Sequence, residues 1–162
     1  MPCRTIGLSP TDTPMATPTP FALTASLTPA LIDRLGTPLA ALNVSVQGLP
    51  NKRAEAGFKA EDAVTLSWVA WSPIAGKGNA VLGSVTQTLT LNCGIAALQL
   101  STRDAVAEVL YQYLAGWEIT GFPGYFLQFG GAELTPPMPN NPCWMMDVRW
   151  GLVIQSRPPS TV

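Results

Sequence analysis

Alternation governs the stretch "WMMDVRWGLVIQS", residues 144–156. Trp144, Met146, Val148, Trp150, Leu152 and Ile154 fall on one set of positions, and Met145, Asp147, Arg149, Gly151, Val153 and Gln155 on the other. A strand sends successive side chains to opposite faces, so a period of two predicts a strand with one apolar face and one mixed face. The same period recurs upstream. "ALNVSVQGLP" alternates at Leu42, Val44 and Val46 and closes on Gly48 and Pro50. "AVTLSWVAW" sets Val64, Leu66, Trp68 and Ala70 against Thr65, Ser67, Val69 and Trp71. In "SVTQTLTLNC", Val85, Leu89, Leu91 and Cys93 point inward, Thr86, Thr88, Thr90 and Asn92 outward, and Gln87 interrupts the inward row. "YFLQF" (125–129) predicts a short further strand.

Helical spacing appears twice. In "LTPALIDRL", Thr28 is a candidate N-cap, Pro29 suits the first helical position, and Leu31, Ile32 and Leu35 share a face. Gly36 and Pro38 are expected to stop or bend that helix. "STRDAVAEVLYQYLAGW" predicts a helix over 102–115, capped by Ser101 or Thr102, with Asp104 near its positive end. Ala105, Val106, Val109, Leu110, Tyr113 and Leu114 form its apolar stripe, and Gly116 suits the left-handed residue after it. Between these elements, residues 51–61 are polar, 72–83 ("SPIAGKGNAVLG") predict a glycine-containing loop, and 130–142 a long Gly/Pro-rich turn. Residues 1–20 predict an extended Pro-rich arm, 21–156 one domain, and 157–162 a tail. Helix, strands, helix, strands in this order imply an α+β fold: a largely antiparallel sheet of about four or five strands with helices packed on one face.

Composition narrows the function. At 162 residues the chain is one domain that buries roughly 70% of its unfolded surface without metal or disulfide staples. Charged residues make up 12%, about half of the usual ~25%, while 47% are apolar. Sparse charge with abundant apolar residues points to surface covered by other protein chains. A net charge of −1 excludes the clustered Lys/Arg footprint of a sequence-specific nucleic-acid binder. No apolar run approaches the ~20 residues of a membrane span, and residues 1–20 hold no signal-peptide core. The arm at 1–20 and the tail at 157–162 are too polar and Pro-rich to order themselves, so contacts with other chains are expected to hold them.

Candidate chemistry is thin. Histidine is absent, which removes the commonest general base and metal ligand. Cys3, Cys93 and Cys143 give neither a disulfide framework nor zinc spacing, and Cys93 and Cys143 read as buried inert thiols. "GKG" at 76–78 lacks the remainder of a phosphate loop. Asn43-Val44-Ser45 matches a glycosylation sequon but falls within a strand pattern. The carboxylates are scattered, and Asp147 and Arg149, two apart on one strand, read as a structural or interface ion pair. Trp68, Trp71, Trp117, Trp144 and Trp150 read as core or interface anchors rather than a ligand pocket. No cofactor, metal site or catalytic residue is expected.

From about residue 21 to 156 the order of features resembles the tail terminator, or tail completion, proteins of tailed phages, particularly the Mu-like contractile group. The likeness rests on the leading helix, "VSVQGLP", "VTLSWVAWS", "TQTLTLNC", a helix closing in "LAGWE", a Gly/Pro-rich passage and the terminal aromatic strand. The resemblance implies a virion protein assembled in the host cytoplasm. It forms a homo-oligomeric ring, typically of six subunits, at the head-proximal end of the tail. There it stops tube polymerisation and meets the tail tube protein, a neck or connector protein and, in contractile tails, the sheath protein. It implies neither catalysis nor a membrane. The face carrying Asp147, Arg149 and Gln155 is then the candidate interface, toward a neighbouring subunit or the ring lumen. Two alternatives stand beside this reading: another neck, tube or baseplate structural protein, and a small monomeric ligand-binding domain or enzyme.

Overall fold

A computed structural model describes residues 20–48, 62–79 and 84–156. The expected arm, the 51–61 loop and the 157–162 tail therefore lie outside the described residues, apart from Pro20. The order is α1 (Pro20–Ala40), β1 (Ser45–Gly48), β2 (Ala63–Asn79), β3 (Ser84–Ala97), α2 (Leu100–Leu114), β4 (Leu127–Thr135) and β5 (Trp144–Ser156). The strands form one sheet in the order β1-β2-β3-β5-β4. Only the β1–β2 pair is parallel; β2–β3, β3–β5 and β5–β4 are antiparallel. This is the expected α+β architecture.

The first helix departs most from its local signals. It begins at Pro20 and runs 21 residues, through Pro29, Gly36 and Pro38. Thr28 is not its cap. It sits mid-helix, where its hydroxyl donates to the Thr24 carbonyl (3.1 Å) and accepts from the Trp68 indole N–H (3.0 Å). Each proline removes a helix hydrogen bond. The offset is burial: Leu23, Leu27, Leu31, Leu35 and Leu39 are each no more than 1% exposed. Leucines four apart drift about 40° per step around a helix of 3.6 residues per turn, so they trace one slanted ridge. That ridge lies on the sheet. The helix ends in a Schellman turn, Val44 N–H to the Leu39 carbonyl and Asn43 N–H to Ala40, with Asn43 left-handed at φ 56. Asn43, the sequon residue, is thus in this turn rather than in the strand, and β1 begins only at Ser45.

Two Gly/Pro-rich passages expected as loops are strands. β2 continues through the Gly76-Lys77-Gly78 stretch to Asn79 with register irregularities between Trp68 and Ala70 and between Pro73 and Gly78. Pro73 is tolerated because β1 pairs with Ala63–Leu66, and among the described residues that side of β2 has no ladder partner at Pro73. β4 likewise runs past Phe129 to Thr135 through a bulge at Gly130-Gly131. Gly131 has φ 126, a conformation that favours glycine, and a Cβ on Gly130 would lie in tight contact, 3.2 Å from the Arg149 carbonyl oxygen.

α2 also starts differently. Its N-cap is Gln99, without a side-chain bond, rather than Ser101 or Thr102. Asp62 instead ties down the preceding corner, accepting from the Leu98 N–H at 2.8 Å. Val106, Leu110 and Leu114 are buried as expected, but the row begins with Arg103, and Tyr113 is exposed. Gly116 takes the left-handed conformation anticipated for it, at φ 71. Both helix rows meet Leu91, Cys93, Val148, Trp150 and Leu152 in one core, so the apolar parity of β5 faces the helices.

Truncation at the α2–sheet contact tests this packing. Leu110→Ala is expected to destabilise the fold by about 2–5 kcal/mol in urea unfolding, the cost of a core cavity. A change below about 0.5 kcal/mol, the size of a surface substitution, contradicts it.

Candidate interaction faces

Both described helices lie on one side of the sheet, and among the described residues no element covers the opposite parity of the strands. On that open face β3 contributes Thr86, Thr88, Thr90, Asn92 and Gly94, and β5 contributes Asp147, Arg149, Gly151 and Val153, opposite one another in register. Thr65 and Ser67 extend the row onto β2. Hydroxyls, glycines and few charges make a flat, weakly charged surface.

Two of the three candidate interface residues can be followed in detail. Asp147 accepts a hydrogen bond from Asn92 Nδ2 at 3.0 Å. A Cβ on the facing Gly94 would approach Asp147 Oδ1 to 3.3 Å, so glycine makes room for the carboxylate. Arg149 does not pair with Asp147. Its Nη2 donates to Glu133 Oε2 on β4 at 3.0 Å, and both side chains are more than half exposed. The strand spacing put the two residues on one face correctly, but cross-strand neighbours, invisible to spacing, supply their partners. Gln155 pairs in register with Thr86; its side chain is outside the described residues. Asp147, Asn92, Thr65 and Ser67 line a shallow depression of about 220 Å³ beside Met145. Asn92 Oδ1 is buried there without a hydrogen-bond partner among the described residues.

A second feature lies on the helix side, at the outer edge. Tyr111 of α2 meets Phe129 of β4 edge-on at 5.5 Å, and Phe129 meets Trp150 at 5.6 Å. Around them runs a groove of about 260 Å³, lined by Ala107, Ala132, Met146 and Val148, with Asp104 and Glu108 at its rim. Tyr111, Phe129, Leu134 and Met138 are all more than 45% exposed. Sequence reasoning missed this groove. The available signal was the aromatic pair Tyr111 and Phe129, but their meeting depends on β4 lying outside β5.

Several other aromatic and charged groups join elements of the fold. Arg34 Nε donates to the Tyr113 carbonyl at 2.7 Å, and its guanidinium lies 4.6 Å from the Trp117 ring centroid, joining α1 to the end of α2. Arg103 bonds Asp104 at 2.7 Å and lies over Trp144, which anchors α2 to the start of β5. Trp150 is fully buried, and Trp68, Trp117 and Trp144 each brace an element, so these four do not converge on a ligand site. Among the described residues no three His, Cys, Asp or Glu side chains gather as a metal site, and no helix is long and apolar enough to cross a membrane. Cys93 and Cys143 are buried free thiols. Burial pushes the Cys93 thiol up to about 12.

No family model and no curated protein matches this chain. Among solved structures, its fold is similar to a chain of the virion of a native gene transfer agent particle, with a TM-score of 0.53 and 17% identity. The match covers 84% of this chain and 99% of that one. At this identity the likeness is one of fold.

The raised Cys93 pKa has a measurable sign. The folded state holds the thiol neutral, while the unfolded chain ionises it from about pH 9.0 upward. Stability is therefore unaffected by this group below pH 9 and falls between pH 9 and about 12. Cys93→Ala should remove that part of the alkaline decline; an unchanged pH profile in the variant contradicts a buried neutral thiol.

Proposed function

We propose that the protein is a structural virion component: a tail terminator, six copies of which form a ring at the head-proximal end of a phage tail. The ring stops growth of the tail tube and offers its far side to the neck or connector, and the sheath where the tail contracts. The observation that carries this reading is the fold likeness to a virion chain over nearly that chain's whole length. The order of helices, strands and Gly/Pro-rich passages that resembles tail terminators supports the narrower assignment.

The physical layout agrees. The core is completed on one face of the sheet, so among the described residues the open face and the outer edge of β4 beyond Leu127 are left available to neighbours. Sparse charge limits the desolvation cost of burying those surfaces between subunits. Asp147 and Arg149 lie on the open face and, with Gln155, are assigned to contacts with a neighbouring subunit or to the lumen. The role involves no turnover, cofactor or metal.

Two measurements test this. Purified protein, alone or with tail tubes, should reach the native mass of a ring of about six chains, since closed rings form by head-to-tail contacts. Added to polymerising tube protein, it should halt elongation. Protein that stays a single subunit on tubes, or binds tubes without limiting their length, contradicts the terminator role; the latter result favours another neck, tube or baseplate component. Arg149→Ala should weaken assembly while changing subunit stability by less than about 1 kcal/mol, because its ion pair is solvent-exposed. Normal assembly by this variant removes Arg149 from the interface.

A further inference from the structure

We propose that residues 3–9 of a neighbouring copy add to the free edge of β4 as a sixth strand, with Ile6 and Leu8 seated in the groove between α2 and β4. This rests on the ring reading above. β4 ends the strand order, and beyond Leu127, whose N–H and carbonyl bond Trp117 and Gly116, its outer backbone edge from Gln128 to Thr135 has no partner among the described residues. A long edge strand is a template for another chain. Here it also carries large exposed apolar side chains, Phe129 at 48% and Leu134 at 58%, flanking the groove. An apolar groove beside an open edge is the arrangement that strand addition uses, with backbone bonds for affinity and alternate side chains for fit.

The occupant follows from pattern and charge. Within residues 1–19 prolines stand at 2, 10, 14 and 18, so Cys3–Ser9 is the longest segment able to donate every ladder hydrogen bond. It alternates: Arg4, Ile6 and Leu8 on one face, Thr5, Gly7 and Ser9 on the other. A cation followed by two aliphatic groups matches a groove with an acidic end and an aromatic end. Asp104 gives one oxygen to Arg103, and Glu108 gives one to Gln112, which leaves each carboxylate a second oxygen.

Direction and register follow as well. Asp104 lies one helical stretch before Tyr111, and Tyr111 meets Phe129. Arg4 at the acidic end and Leu8 near Phe129 therefore run opposite to β4, the more stable pairing sense. Four strand residues span about 13 Å, and the seven helical residues from Asp104 to Tyr111 rise about 10 Å. Arg4 then lies across from Leu134, which puts Cys3 across from Thr135.

A neighbouring copy is the donor because of where the segment joins the fold. It precedes Pro20, the first residue of α1, and α1 packs beside β1 and β2 at the opposite end of the strand order from β4. Donor and acceptor on opposite flanks make a head-to-tail contact, the kind that closes a ring. Residues 10–19 reach up to about 33 Å when extended, enough to cross to an adjacent subunit.

Cys3 supplies the probe, since Cys93 and Cys143 are buried. Chain one keeps Cys3; chain two carries Cys3→Ser with either Thr135→Cys or, as a register control, Gln128→Cys. Mixed with and without tail tubes and oxidised, the two chains should form a heterodisulfide through Thr135→Cys and none through Gln128→Cys. Arg4→Glu in chain one should reduce the yield. Three results overturn the proposal. A single chain holding both Cys3 and Thr135→Cys that links only within itself makes the occupant its own arm. No link in a protein whose native mass is that of a ring removes the arm from β4 and leaves the ring reading intact. No link together with the mass of one subunit on tubes removes both.

Discussion

The contact between the slanted leucine ridge of α1 and the apolar parity of the sheet sets the terms for the whole molecule. Five leucines from Leu23 to Leu39 and the Val106–Leu110–Leu114 row of α2 converge on Leu91, Val148, Trp150 and Leu152. Each fully buried aliphatic side chain contributes on the order of 1.5–3 kcal/mol, enough collectively to carry a helix through two internal prolines that would break it in isolation. Both helices lie on the same side of the sheet, so among the described residues the hydrophobic core is built on that side.

What remains follows from that asymmetry. The opposite parity of β3 and β5 is free to be Thr, Asn, Gly, Asp and Arg. Asn92 Nδ2 pairs with Asp147 and Arg149 with Glu133 across neighbouring strands, while Asn92 Oδ1 has no partner among the described residues. The outer strand β4 has β5 as its described ladder partner and Gly116 and Trp117 against Leu127 at its start; it is bulged at its glycines and leaves Phe129 and Leu134 partly in solvent. A subunit built this way has a finished core and unfinished flanks, which suits a part that is completed by other chains.

The final strand and the second helix were legible because their period is carried by large apolar residues: Val148, Trp150, Leu152 and Ile154 in one, Val106, Leu110 and Leu114 in the other. The first helix was only half legible. Its i, i+4 leucines extend to Leu23 and Leu39, but Pro29, Gly36 and Pro38 are strong local stop signals that tertiary burial overrides. The same residue types misled in β2 and β4, where no described strand pairs with one side of β2 at Pro73 and a bulge places Gly131 at positive φ. Neither circumstance can be read from neighbouring positions. The open face was visible from strand parity, which placed Asp147 and Arg149 together, whereas their real partners and the Tyr111–Phe129 groove depend on strand order β3-β5-β4, a non-local fact.

The most direct measurement is the position of this chain in an intact particle, by electron cryo-microscopy at side-chain resolution. The account predicts a ring at the head-proximal end of the tail, with the α1 and α2 rows still packed on Trp150 and the open face or outer strands against neighbouring chains or the lumen. A particle that lacks this chain, or holds it as an isolated subunit with the open face and both outer strands in solvent, contradicts the claim that one-sided burial prepares this protein for assembly.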